Sequence, residues 1–211
     1  FSWWDYGYII QAIADRPSVI DPRNLYEERD IEAALFFTAP SEKAPLSYDD
    51  GRYAFNYSSA LDYIRHYNIS YIILDGAMVG KYSAVSKIAA NGESIGQFLV
   101  SPFSGTTCAG SVCTSKFGPI EAVNDGGNVS VSFVQGESRF PIKRSCTSEN
   151  GEDPCVLLAQ NAAVTAFTCA NSGCSFGPEH TNSIFFKLWF LNAQGLPHVT
   201  RAQNPPADAA R

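Results

Sequence analysis

Six cysteines fall into three near-neighbour pairs, Cys108/Cys113, Cys146/Cys155 and Cys169/Cys174, all in the second half of a 211-residue chain. Their even number, and their setting among Gly, Ser, Thr and Asn, point to disulfides and to an oxidising, extracytoplasmic compartment. Zinc is excluded by spacing, because no CxxC or HxxxH occurs and His66, His180 and His198 are scattered. Reduced, buried thiols remain a second reading. Among the connectivities open to six cysteines, nearest-neighbour pairing is the simplest.

Hydrophobic residues make up 45% of the chain and charged residues 17%, the balance of a globular chain with a core. The formal charge is −6 and the pI about 5.0, which removes nucleic acid from consideration because phosphate binding draws on clustered Lys and Arg. No apolar run approaches the ~20 residues of a membrane helix. The longest, Ser183–Asn192 and Ser70–Leu74, are strand-sized. Phe1–Ile10 holds an acid and no basic start, so it is no signal peptide; the chain reads as a piece of a longer protein.

The two halves differ in pattern. Tyr8–Ala14 is a short apolar segment stopped before Pro17, and Leu25–Thr38 reads as an amphipathic helix with acids in its first turns. Ser41–Gly51 is a polar loop, Ser58–Tyr67 has helical spacing, Ser70–Leu74 is a β-branched run predicted as a buried strand, and Gly76–Ala90 is helical again. Beyond Asn91-Gly92 come short strands at Gln97–Phe103, Ile120–Val123, Val129–Val134, Cys155–Leu158, Val164–Thr168 and Ile184–Leu191, with Asp125-Gly126-Gly127 as a hairpin turn. The expectation is an α/β (mixed α+β) fold: a core over 1–95, a β-rich part of the same domain over 96–200, and a flexible tail over 201–211.

Chemistry concentrates at Trp3-Trp4-Asp5-Tyr6-Gly7. Indole N–H groups donate, the carboxylate accepts, and aromatic faces exclude water, so such a cluster can wall off a pocket that recognises a hydroxyl. The competing reading is an aromatic core plug with a capping aspartate.

The string WWDYG resembles the signature of oligosaccharyltransferase catalytic subunits. In that family the motif binds the hydroxyl of Ser or Thr at the +2 position of the acceptor sequon. The resemblance implies that Trp3, Trp4 and Asp5 contact this hydroxyl while Tyr6 and Gly7 shape the turn. A second family mark is a downstream helix with the pattern DxxK, or a variant with methionine, lining the same pocket. Here Asp75-Gly76-Ala77-Met78 follows the Ser70–Leu74 run, with Met78 at the lysine position and Lys81 one step on. Asp75, Met78, Tyr82 and Val85 share a helical face. A thioether there would pack on the threonine γ-methyl and favour Thr over Ser modestly, by roughly 1 kcal/mol. Asp75 as a plain N-cap and Met78 as plain core are the structural alternatives. Gly76 and Gly80 suggest a kinked, mobile segment that docks when acceptor binds.

The resemblance covers about the first 90 residues, and the short length is similar to compact archaeal members. It implies a glycosyltransferase of the dolichyl-phospho-oligosaccharide–protein type. This domain, on the extracytoplasmic side of a cell-membrane protein, would recognise a sequon-bearing polypeptide and be inactive alone. The partner would be an N-terminal transmembrane region carrying lipid-linked oligosaccharide and Mn²⁺ or Mg²⁺; neither a catalytic residue nor a metal is assigned to this chain. Asp5, Asp21, Glu27, Glu28 and Asp30 could be imagined as a metal cluster, but the last three are favoured at a helix start anyway. Three sequons, at Asn56, Asn68 and Asn128, could be glycosylated, with chance as the default for the second. The rival function is a secreted carbohydrate-binding or adhesion module.

Overall fold

A computed structural model describes residues 1–15, 17–20, 23, 27–146 and 153–201; the side chains of Trp4 and Ala14, Asp21 and the expected tail beyond Arg201 lie outside the described residues. After a 3-10 turn at Trp4–Tyr6, helix α1 (Gly7–Ala14) ends where Asp15 turns left-handed at φ 49°. Helix α2 (Glu27–Thr38) carries Glu27, Glu28 and Asp30 in its first turn, where the helix dipole favours acids.

Strands β1 (Leu46–Asp49) and β2 (Ala54–Tyr57) form a small hairpin whose first strand lies inside the Ser41–Gly51 stretch that the sequence presents as a polar loop. Leu46 alone on β1 is buried, too little apolar signal to mark a strand. Helix α3 (Ala60–His66) is capped by Ser59, whose hydroxyl accepts from the Asp62 amide at 3.2 Å. Helix α4 (Ala77–Ala89) runs unbroken through Gly80. Its Met78, Tyr82, Val85 and Ser86 are buried, and that packing offsets the glycine's helix penalty, so the helix is not interrupted at Gly80.

The run 70–74 is extended but not a buried strand. Tyr71 and Ile73 are exposed (71% and 45%), while Ile72 and Leu74 pack on the core. Its partner is the chain start: the Phe1 nitrogen donates to the Tyr71 carbonyl and the Phe1 carbonyl accepts from Ile73 N, both at 2.8 Å. That is the parallel pattern, one residue deep. Burial of one face only explains why a continuous β-branched run misled the burial prediction.

Strand β3 (Ile95–Ala109) opens the β-rich half and is followed by β4 (Val112–Phe117), β5 (Ile120–Asp125), β6 (Asn128–Gln135) and β7 (Ser138–Ile142). Then come β8 (Leu157–Leu158), β9 (Ala162–Ala170) and β10 (Gly173–Phe176), and helices α5 (Pro178–Thr181) and α6 (Ile184–Trp189). The strand order is β10-β9-β3-β4-β5-β6-β7, with β8 on β9. The fold is therefore mixed α+β with a β-rich second half, as the sequence predicts.

Strand β3 serves two ladders. Its Ile95–Pro102 half pairs with β9, and its Phe103–Ala109 half pairs with β4 across a bulge at Ser104, where Gly105 adopts φ 141°. The apolar face of the β4–β7 meander, including Phe117, Ile120, Val131 and Ile142, packs on Val156 and Ala163. The Ile184–Leu191 segment is not a strand but helix α6. Ile184, Phe185, Phe186 and Lys187 are buried in succession, so no 3.6-residue stripe shows in the sequence. The Ser183 hydroxyl starts it, accepting from Phe186 N at 3.2 Å.

All six cysteines pair as nearest neighbours. Cys108–Cys113 and Cys169–Cys174 are cross-strand pairs at the ends of the β3–β4 and β9–β10 hairpins, whereas Cys146–Cys155 is buried. They fit an oxidising, extracytoplasmic environment. Among the described residues no helix is long and apolar enough to cross a membrane. The sequon residues Asn56, Asn68 and Asn128 are exposed.

Two predictions follow from this packing. Replacing Cys108 and Cys113 together by Ala should cost about 2 kcal/mol of chain-entropy stabilisation, and replacing Cys146 and Cys155 about 3 kcal/mol or more, since a longer loop is freed and core contacts go with it. Urea melts of the two variants check the ranking. His180 sits under the sheet, its Nδ1 3.1 Å from the Tyr82 hydroxyl, and a Cβ on Gly96 would meet its ring at 2.3 Å. Burial lowers the His180 pKa below its ordinary 6.5. Between the lowered folded value and the unfolded one, the unfolded chain binds the extra proton, so stability falls as pH drops below about 6.5. Urea midpoints at neutral and mildly acid pH should show that loss in the native chain and a smaller one in His180→Gln.

Candidate functional site

The backbone pairing of Phe1 with 71–73 brings the 3-10 turn against the start of α4. Phe1 stacks on Phe37 at 5.2 Å, Trp3 is 1% exposed, and the Ser2 hydroxyl donates to the Ile73 carbonyl at 2.6 Å. The turn closes with Tyr6 N donating to the Trp3 carbonyl at 3.0 Å. Gly7 is buried at the start of α1. Asp5 and Tyr6 are thus presented from a fixed backbone towards α4.

Four side chains then interlock. Tyr6 donates its hydroxyl to Asp75 Oδ1 at 2.7 Å, and Met78 N donates to the same oxygen at 3.2 Å. Lys81 Nζ forms an ion pair with Asp5 Oδ2 and lies 4.9 Å from the centre of the Tyr6 ring. The remaining oxygen, Asp5 Oδ1, is buried and has no hydrogen-bond partner among the described residues.

The electrostatics follow from these contacts. The Tyr6 hydroxyl, more than any other group, holds the Asp75 carboxyl below its ordinary range. Burial and the same bond push the Tyr6 phenol up, and the bond to Asp5 raises the Lys81 ammonium. With side chains 38% and 24% exposed, the Lys81–Asp5 pair is worth no more than about 1 kcal/mol. An unpartnered buried carboxylate oxygen costs more, about 1–3 kcal/mol.

The two stretches singled out in the sequence therefore meet, but with a different division of labour. Asp5, Tyr6, Asp75 and Lys81 form the polar cluster. Trp3, Met78 and Tyr82 lie in the main core at 1%, 1% and 0% exposure and hold the cluster in place from beneath. Met78 meets the Ser2 hydroxyl at 3.8 Å rather than a surface, so its thioether is closed to a ligand methyl in this arrangement. The helical face shared by Asp75, Met78, Tyr82 and Val85 is an inward one below Asp75. Asp75 both belongs to the polar cluster and caps the first turn of α4, accepting from Met78 N.

One neighbour escaped sequence reading. Trp189 of α6 approaches Gly76, where an added Cβ would stand 3.8 Å from the indole Cζ2. Reading that segment as a strand gave no reason to bring its tryptophan here, and only the helical end point of α6 does so.

Among the described residues no group of three or more His, Cys, Asp or Glu is placed to hold a metal ion. The acids of the cluster are already engaged, Asp5 by Lys81 and Asp75 by Tyr6, and Glu27 accepts from Arg52 and Tyr53 at 3.0 Å each.

No protein-family model, no curated protein and no solved structure matches this chain.

The Tyr6–Asp75 bond has a direct readout. In Tyr6→Phe the Asp75 pKa should rise towards its ordinary value near 3.8, seen in carboxyl NMR shifts. Because the folded value is the depressed one, the contribution of Asp75 is complete above the unfolded pKa and lost as pH falls through the folded value. Tyr6→Phe should therefore flatten the acid limb of the stability profile.

Proposed function

We propose that this chain is the acceptor-recognition domain of an oligosaccharyltransferase, the enzyme that transfers a lipid-linked oligosaccharide to Asn in N-x-Ser/Thr sequons. The observation that carries the reading is the buried, unpartnered Asp5 Oδ1 inside the WWDYG motif. A carboxylate oxygen without a donor is a receptor for one O–H group, and a Ser or Thr hydroxyl at +2 supplies it. An acceptor lacking that hydroxyl leaves the oxygen unpaired and is rejected.

Entry requires Lys81 to swing off the carboxylate. Its side chain is 38% exposed and the pair it breaks is weak, so the hydroxyl competes on favourable terms. Trp3, Met78 and Tyr82 keep the aspartate from following it. The domain positions the acceptor and does no bond chemistry of its own. Transfer belongs to the transmembrane region that this reading places beside it, where a divalent metal would polarise the donor phosphate.

The surface also suits an attached membrane-embedded region on the extracytoplasmic side. Helix α1 leaves Tyr8, Ile9 and Ile13 exposed (49%, 53% and 81%), and Tyr71 and Ile73 stand outside the core as well.

The test uses short peptides carrying Asn-Ala-Thr or Asn-Ala-Val, titrated into the ¹⁵N-labelled chain. The threonine peptide should shift amides in residues 3–7 and 75–82 and bind about tenfold more tightly than the isosteric valine peptide. Asp5→Ala, which removes the acceptor oxygen, should erase the difference while leaving the melting temperature nearly unchanged. Equal binding of the two peptides to the native chain would sink the assignment.

A further inference from the structure

The β4–β7 meander buries one face of its strands and leaves the other open, and the open face holds a cleft of about 620 Å³ remote in sequence from the WWDYG motif. Thr107 and Thr114 face each other across β3 and β4, and Ser130 and Ser132 stand two residues apart on β6, so a grid of hydroxyls covers the floor. Each can donate and accept at once. Val123 supplies the apolar contact, and among the described residues no aromatic ring lines the cleft.

Charge in the cleft runs against that of the whole chain. Arg139 donates from Nη2 and Nε to one oxygen of Glu121, at 2.7 and 3.3 Å, and Lys116 Nζ stands 3.6 Å from the other. Two cations thus share one carboxylate, which leaves a single positive charge uncompensated in a protein whose formal charge is −6. The Glu121 side chain is 13% exposed, whereas those of Lys116 and Arg139 are 58% and 63% exposed and reach into the opening. Arg139 keeps Nη1 unspent, so its guanidinium can still make a charge-assisted bond to a second carboxylate. Arg139, followed by Lys116, holds the Glu121 carboxyl below its ordinary range, so this carboxylate stays ionised and keeps the two cations in register.

From this we infer a second binding site: the open face of the meander takes a polyhydroxylated monoanion, a sugar acid or the acidic residue of a glycan. The hydroxyl grid meets the ligand's hydroxyls, Val123 meets a C–H face, and Arg139 with Lys116 meets its carboxylate. A neutral sugar would leave the excess charge unanswered, and a simple carboxylate would leave the hydroxyl grid to water. The site shares no residue with the Asp5 cluster and stands or falls independently of it.

Sodium glucuronate, glucose and sodium acetate, each titrated into the ¹⁵N-labelled chain, decide the matter. Glucuronate should produce saturable shifts confined to β3–β7, with glucose and acetate at least about tenfold weaker. Arg139→Gln cancels the excess charge and should weaken glucuronate about tenfold. Glu121→Gln releases Arg139 and raises the charge, so it should tighten glucuronate several-fold, a gain that a misfolded variant cannot mimic. The inference is overturned if glucuronate gives no saturable shift, if glucose or acetate matches it, or if Glu121→Gln weakens binding as Arg139→Gln does.

Discussion

Phe98 is the contact on which both halves of this molecule depend. It projects from the first half of β3 into the helical layer, 4.4 Å from Tyr82 of α4 and between 5.4 and 5.8 Å from Phe185, Phe186 and Phe190. Rings at these separations gain area burial and a further pairwise term of about 0.5–1.5 kcal/mol each. Without that bolt, α4 would lose the floor on which Tyr82 rests. The position of Lys81, one residue away, would then be undetermined.

The polar cluster inherits its geometry from this apolar layer. A carboxylate with a free, buried oxygen persists only when its surroundings over-determine it. Here the determinants are the buried Trp3 before it, the Phe1 pairing with 71–73, and the inward face of α4. The geometry of the polar cluster and the packing beneath it are therefore parts of one device. Residues that look like ligand contacts in the linear motif act instead as the anvil beneath the residues that remain accessible.

How much of this was legible in the sequence varies with the kind of signal. The cysteine pairs, the Asp125–Asn128 turn, helices α2, α3 and α4 and the β-rich second half all follow from local chemistry, because spacing, caps and turn residues need no distant partner. Strands β4, β7 and β10 were invisible. They are short and lack a regular apolar–polar alternation, and β7 even contains Pro141, tolerable because β7 closes the strand order and one of its edges needs no donor. Helix α6 was misread since Phe185, Phe186 and their neighbours are buried on every side, which erases periodicity. At the site, the motif and the Asp75 segment could be linked by resemblance. The exchange of roles between Met78 and Lys81 could not, because which side of α4 faces inward depends on β3 and α6.

The division of β3 between two ladders bears on how the chain assembles. Strands β3 to β7 are each joined to the next by a tight turn, so the meander pairs only neighbours in sequence and closes small loops. The other half of β3 waits for β9, which arrives after the whole meander has been traversed. During synthesis the meander can therefore form first, held at one end by Cys108–Cys113, while the Ile95–Pro102 half stays an open edge. The apolar residues of that open half, Phe98 among them, meet α4 early but are fully covered only when β9 and α6 close over them. The last-made segment of the described chain thus completes the layer on which its first five residues rest.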